Sequence, residues 1–254
     1  MINNQDYKIA DKEISLLSIN YKEGEKIKDE SIAEILIKSN LIIKKYFKDN
    51  LFLKITQIPR GGKEHLQCER AFDIFQNYSV MPEYCFSCYK VQIDPKNVID
   101  MIKLQFLFDI LYFENENLRK CMIDARKNIK GNYKGFIYCT TLEEARKIEI
   151  YIGKYLKTSI DKNIKMHVKR GCSEFVEKHP KFGNLEKNIM EYKKEWKKIE
   201  HNFDAKNEKV YKSGERKLAY GLSLKDTLVF ANWINYAKSI GDESCKILTK
   251  SYDK

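Results

Sequence analysis

ENLRKCMIDARK, residues 116–127, lies directly behind a long apolar run, NVIDMIKLQFLFDILYF, residues 97–113. Read as the second piece of one helical stretch over 96–127, it makes the whole connection between the flanking strands helical, and that reading decides the fold. Upstream, Tyr89, Val91 and Ile93 alternate with polar residues in a strand that Asp94-Pro95 closes while starting the helix. Downstream, the polar NIKGNYKG (128–135) leads to a dense strand, FIYC (136–139). A helix follows over TTLEEARKIEIYIGKYLK (140–157), opened by the capping box Thr141-x-x-Glu144. After a polar turn, IKMHVKR (164–170) sets Ile164, Met166 and Val168 on one side of a further strand.

The pattern extends toward the N-terminus. Residues 27–48 have helical spacing, with an acidic start and a basic end. LFLKITQI (51–58) alternates as a strand, PRGGKE turns, and 63–77 returns to helical spacing at Leu66, Ala71, Phe72 and Phe75. Strands separated by long connections predict an α/β fold: an open, mainly parallel sheet of about four strands flanked by helices. The alternative is an α+β ferredoxin-like antiparallel sheet. Past Gly171 the texture turns helical and charged. A helix is predicted over 184–200, a loop over 201–217, and a helix from Ser223 as N-cap to Gly241 as terminator. The predicted organisation is an N-terminal helical segment (1–50), an α/β core (51–175) and a helical, basic C-terminal region (176–254) packed on it.

At 254 residues, 43% of them hydrophobic, the chain can bury a full core. No apolar run approaches about 20 residues, and the start carries no basic-then-apolar leader, so the expectation is a cytoplasmic protein with no membrane partner. The net charge of +11 comes mostly from lysine, a solvated point charge rather than the planar fork that specific phosphate and base recognition favours. Its distribution says more. Residues 1–100 are neutral, whereas 151–200 carry 13 basic against 7 acidic side chains.

Seven cysteines without a leader are expected as free thiols. Cys85-x-x-Cys88 precedes a strand, where side chains three apart point to opposite faces unless a turn intervenes. A metal site drawn from Cys68, Cys85, Cys88 and Cys121 would lack a second Cys-x-x-Cys or a paired histidine, so no metal is predicted.

A parallel sheet would gather the C-terminal tails of its strands at one rim, where open sheets bind ligands. Those tails carry Arg60, Gly61, Gly62 and Lys63; Thr140 and Thr141; and Lys169, Arg170 and Ser173. Paired glycines admit close backbone approach, helix starts offer free N–H groups, and the cations supply charge, which together predict a phosphate or carboxylate pocket. Cys139 before a capped helix and Cys172 after Arg170 are the candidate nucleophiles, with His167 or, more free to approach on its loop, His179 as proton acceptor.

The function predicted is a cytosolic enzyme acting on an anionic small molecule such as a nucleotide or sugar phosphate, with the reaction and any cofactor left open. One alternative is an RNA- or DNA-binding protein using 151–200, with Tyr151, Tyr155, Tyr192 and Trp196 as stacking surfaces. Another is a structural or partner-binding protein.

Overall fold

The computed structural model describes residues 4–48, 51–62, 67–126, 131–185, 190–207 and 220–249. Ten α-helices and five strands are described: α1 (Asn4–Ser15), α2 (Asp29–Tyr46), β1 (Gln57–Arg60), α3 (Cys68–Tyr78), α4 (Glu83–Phe86), β2 (Tyr89–Asp94), α5 (Val98–Ile110), β3 (Arg119–Ile123), β4 (Tyr133–Cys139), α6 (Leu142–Tyr155), β5 (Lys165–Arg170), α7 (Ser173–Lys178), α8 (Trp196–Asn207), α9 (Leu224–Ser239) and α10 (Cys245–Thr249). Among these residues no helix is long and apolar enough to cross a membrane.

The strands form one sheet in the order β1-β3-β4-β2-β5, and every neighbouring pair is antiparallel. This overturns the mainly parallel sheet and gives an α+β arrangement. Strands β2 to β5 with α5 and α6 form the split β-α-β-β-α-β unit, in which each crossover joins strands that run the same way with an antiparallel strand inserted between them. The error lay in residues 116–127. Residues 119–123 are a strand that pairs with β4 from Arg119↔Ile137 to Ile123↔Tyr133, not a continuation of α5. Two smaller corrections follow. Of the strand predicted over 51–58, the paired portion runs from Gln57 to Arg60, and the helix predicted over 184–200 starts at Trp196.

Local chemistry sets the ends of the helices. Asn97 accepts from Asp100 N at 2.8 Å to start α5, and Thr141 accepts from Glu144 N at 3.1 Å to start α6. Ser223 and Asp226 cap α9 reciprocally. Helices α5 and α6 pack on one face of the sheet, against Val91, Ile93, Cys121, Ile137 and Val168. Gly135 makes that contact close, because a Cβ there would lie 2.4 Å from Leu104 Cδ2. Helices α1, α2, α9 and α10 extend the same core. A second, smaller apolar cluster joins α3, α4, α7 and α8 through Phe75, Phe175, Phe182 and Trp196, and it stands over one end of the opposite face.

Candidate functional site

Strand alternation sends Lys90 and Gln92 of β2, Lys120 and Met122 of β3, Lys134, Phe136 and Tyr138 of β4, and Lys169 of β5 to the face away from α5 and α6. With Asp124, Arg126, Glu174, Cys68, Phe72, Cys172 and Ser173 they line a cleft of about 210 Å³. Five cations stand here against two carboxylates, over a floor of Phe136 and Tyr138 whose centroids are 6.4 Å apart.

Some of these charges are answered locally. Lys134 meets Asp94 at 2.7 Å, and Arg126 pairs with Asp124 at 2.6 Å and with Glu174. Lys90 and Lys169 meet no carboxylate among the described residues. Lys90 is 5% exposed, with its Nζ 3.3 Å from Cys172 Sγ and 5.1 Å from the Tyr138 ring centroid. Lys169 donates to Ser173 Oγ at 2.8 Å. Burial, aided by the charge of Lys90, lowers the Lys169 ammonium to about 8. The arrangement sets unanswered positive charge beside an aromatic floor.

The registers bring the ends of β1, β4 and β5 to one rim, while the end of β2 lies at the other. The predicted site residues nevertheless separate. Arg60 faces the helices and is held by Asp109 at 2.5 Å, Asp226 at 2.8 Å and the Gly221 carbonyl at 2.8 Å. Gly61 and Gly62 have φ of +60° and +78° and press on Asn117 and Leu118, so their close approach is to the chain's own backbone. Lys63 lies outside the described residues. Gly62, Cys139 and Thr140 do share a 450 Å³ hollow, and Thr141 lines a neighbouring one of 710 Å³. The first hollow holds Glu116 and Glu144, the second Glu114, Glu143, Glu144 and one cation, Lys147. Their excess of carboxylates repels phosphate.

Arg170 donates twice to the Phe86 carbonyl and stacks on Phe86, Tyr89 and Phe182. Burial pushes the Cys139 thiol up, away from a nucleophilic thiolate. His179 packs on Phe75 rather than in the cleft, and burial lowers its imidazole. Lys169, Cys172 and Ser173 are the predicted residues that meet in the cleft. The aromatics proposed for nucleic acid are engaged internally: Tyr151 packs on Phe113 and Tyr155, and Tyr192 and Trp196 pack on Phe86.

Lys90, Phe136 and Tyr138 were missed. Their signal is Lys134-Gly135-Phe136-Ile137-Tyr138, a basic residue and glycine followed by alternating aromatics, the pattern with which sheets of this topology present stacking platforms.

Fold and cleft together define an antiparallel α+β protein with a basic, aromatic-floored site. No family model matches the chain, and no solved structure does. Two curated proteins of Xenopus laevis, 7-methylguanosine phosphate-specific 5'-nucleotidases A and B, are each 39% identical to it over 84 residues, 32% of this chain. The matched stretch is 26% of either relative, so the chain spans about a quarter of their length.

Proposed function

We propose that the chain is an enzyme acting on a nucleotide phosphate, bound in the cleft on the open face of the sheet. The base lies against Phe136 and Tyr138, and the phosphate is taken by Lys169 and Ser173 in the positive field of Lys90, Lys120 and Lys134. The observation that carries this reading is the excess of five cations over two carboxylates around an aromatic floor. Hydrogen bonds from charged donors to phosphate oxygens are among the stronger polar contacts. The specificity for which the two Xenopus relatives are named, 7-methylguanosine phosphate, supports a nucleoside monophosphate as ligand.

The test is calorimetric titration of the purified chain with 7-methylguanosine monophosphate, guanosine monophosphate, guanosine and inorganic phosphate, alongside an assay for phosphate release. Nucleotides are expected to bind more tightly than either fragment, with affinity falling as salt rises. Failure of every nucleotide to bind sinks the proposal. Binding without turnover keeps the ligand site and removes the enzyme.

A second reading is single-stranded RNA lying across the same face, favoured by the aromatic pair on the central strand β4. A short oligonucleotide that outcompetes the mononucleotide by far more than its phosphate count explains would select it.

A further inference from the structure

Four of the seven cysteines, Cys68, Cys85, Cys88 and Cys172, line one cavity of about 10 Å³ beneath the cleft, room for about one water-sized sphere. They arrive from separate segments. Cys68 opens α3, Cys85 lies in α4, Cys88 precedes β2 and Cys172 precedes α7. A turn folds the Cys85–Cys88 pair back on itself, with Ser87 N donating to Tyr84 O and Cys88 N to Cys85 O, both at 3.3 Å. This is the bend that a strand lacks and a Cys-x-x-Cys chelate requires. Gly171 N then donates to Cys88 O at 2.7 Å, holding the Cys172 segment alongside. The other lining residues are Gln67, Ala71, Phe72, Tyr84, Gly171 and Phe175, so sulfur is the sole strong metal donor among the side chains.

Lys90 supplies a second, independent observation. A buried ammonium costs several kcal/mol unless negative charge answers it, and this one rests against Cys172 Sγ with no carboxylate paired to it among the described residues. Four thiolates around a divalent cation carry a net charge of about −2, and the single positive charge of Lys90 offsets half of it.

We propose that Cys68, Cys85, Cys88 and Cys172 bind a thiophilic divalent cation of the zinc class, with Lys90 as the charge partner of the resulting thiolate cluster. Each thiol gives its proton to solvent and a lone pair to the metal, with no change of oxidation state. Among the described residues the four sulfurs do not converge as a ligand set without the metal. Each cysteine has one side-chain torsion with three staggered wells, and the metal would select the wells that turn the sulfurs toward the cavity. Because each thiol must lose its proton to ligate, binding releases protons and weakens as pH falls. A closed four-sulfur site is structural rather than catalytic. It would pin α3, α4 and α7 to the sheet beside the nucleotide cleft, and its test uses metal alone, without the proposed nucleotide.

The test is titration of the reduced, full-length chain with cobalt(II). One equivalent is expected to produce the visible bands of tetrahedral cobalt and a near-ultraviolet thiolate charge-transfer band, both abolished by zinc. Cys85→Ser and Cys88→Ser should lose these bands, whereas Cys121→Ser and Cys139→Ser, on the opposite face of the sheet, should keep them. Alkylation of the wild-type chain with and without zinc, mapped by mass spectrometry, does not depend on any variant folding. Zinc should lower the alkylation of Cys68, Cys85, Cys88 and Cys172 and leave that of Cys245 unchanged. Absence of the cobalt bands, unchanged stoichiometry in Cys85→Ser, or protection of a different set of cysteines overturns the proposal.

Discussion

The ammonium of Lys90 stands 3.3 Å from the sulfur of Cys172, at the wall shared by the cleft and the cysteine-lined cavity. Burial, together with the charge of Lys90, lowers the neighbouring Lys169 to about 8.

That depression gives nucleotide binding a pH dependence. Lys169 must be protonated to hold a phosphate, so affinity is expected to fall as pH rises through about 8. Stability moves oppositely. The unfolded lysine binds its proton more tightly than the folded one, so between about 8 and the ordinary lysine value stability rises with pH as the cost of the buried charge is removed. Lys169→Met should remove the inflection in binding and weaken the nucleotide by about 1.5–3 kcal/mol. Lys90→Met should move the inflection upward, since a like charge is gone. Titrations at a series of pH values check both, and an inflection unchanged in Lys169→Met contradicts the assignment.

Phe136 and Tyr138 should distinguish the base from the phosphate. Replacing either with leucine keeps the site filled with apolar volume but removes the aromatic face. The expected loss is about 1–3 kcal/mol of nucleotide affinity, while inorganic phosphate binds as before. An equal loss for both ligands would mean that the rings shape the cleft without stacking on the base.

Much of the local structure was legible. The caps at Thr141 and Ser223 and the strands β2, β4 and β5 follow from spacing and end chemistry. The topology was not, because β3 disguises itself. Leu118, Cys121 and Met122 have helical spacing, and the strand's inward positions include a charge, Arg119, where an apolar residue is expected. Arg119 is admitted to the core because its guanidinium donates to the Phe108 carbonyl at 2.7 Å, near the end of α5, and lies 4.5 Å from the Phe113 ring. Those partners exist only after folding. The site was obscured because strand alternation turns Arg60 toward the helices and leaves Lys90 and Lys169 on the opposite face, and the packing of the helices decides which face stays open.

Arg60 is accordingly a structural residue. Its guanidinium ties β1 to Asp109 at the end of α5 and Asp226 at the start of α9. Arg60→Met strands the buried Asp226 and the partly buried Asp109, and the expected destabilisation is about 3–5 kcal/mol. Arg60→Lys should recover part of this, because a point charge cannot reproduce the fork. Urea unfolding measures the loss. Nucleotide affinity of the folded fraction should stay unchanged, and a specific loss of binding would return Arg60 to the ligand site.

Gly62 offers the sharpest separation between a glycine that serves a ligand and one that serves the fold. Its φ is +78°, its N–H donates to the Glu116 carbonyl at 2.6 Å, and an added Cβ would lie 2.6 Å from Leu118 Cβ. Gly24 has a similar φ of +85° with open space around it, so it serves as an internal control. Gly24→Ala should cost about 1–2 kcal/mol for the left-handed backbone alone. Gly62→Ala should cost that amount plus about 1–3 kcal/mol for overpacking against Leu118, just before β3. Equal losses at the two positions in urea unfolding would refute the close contact. A fall in nucleotide affinity at Gly62 without extra destabilisation would show that the turn touches the ligand after all.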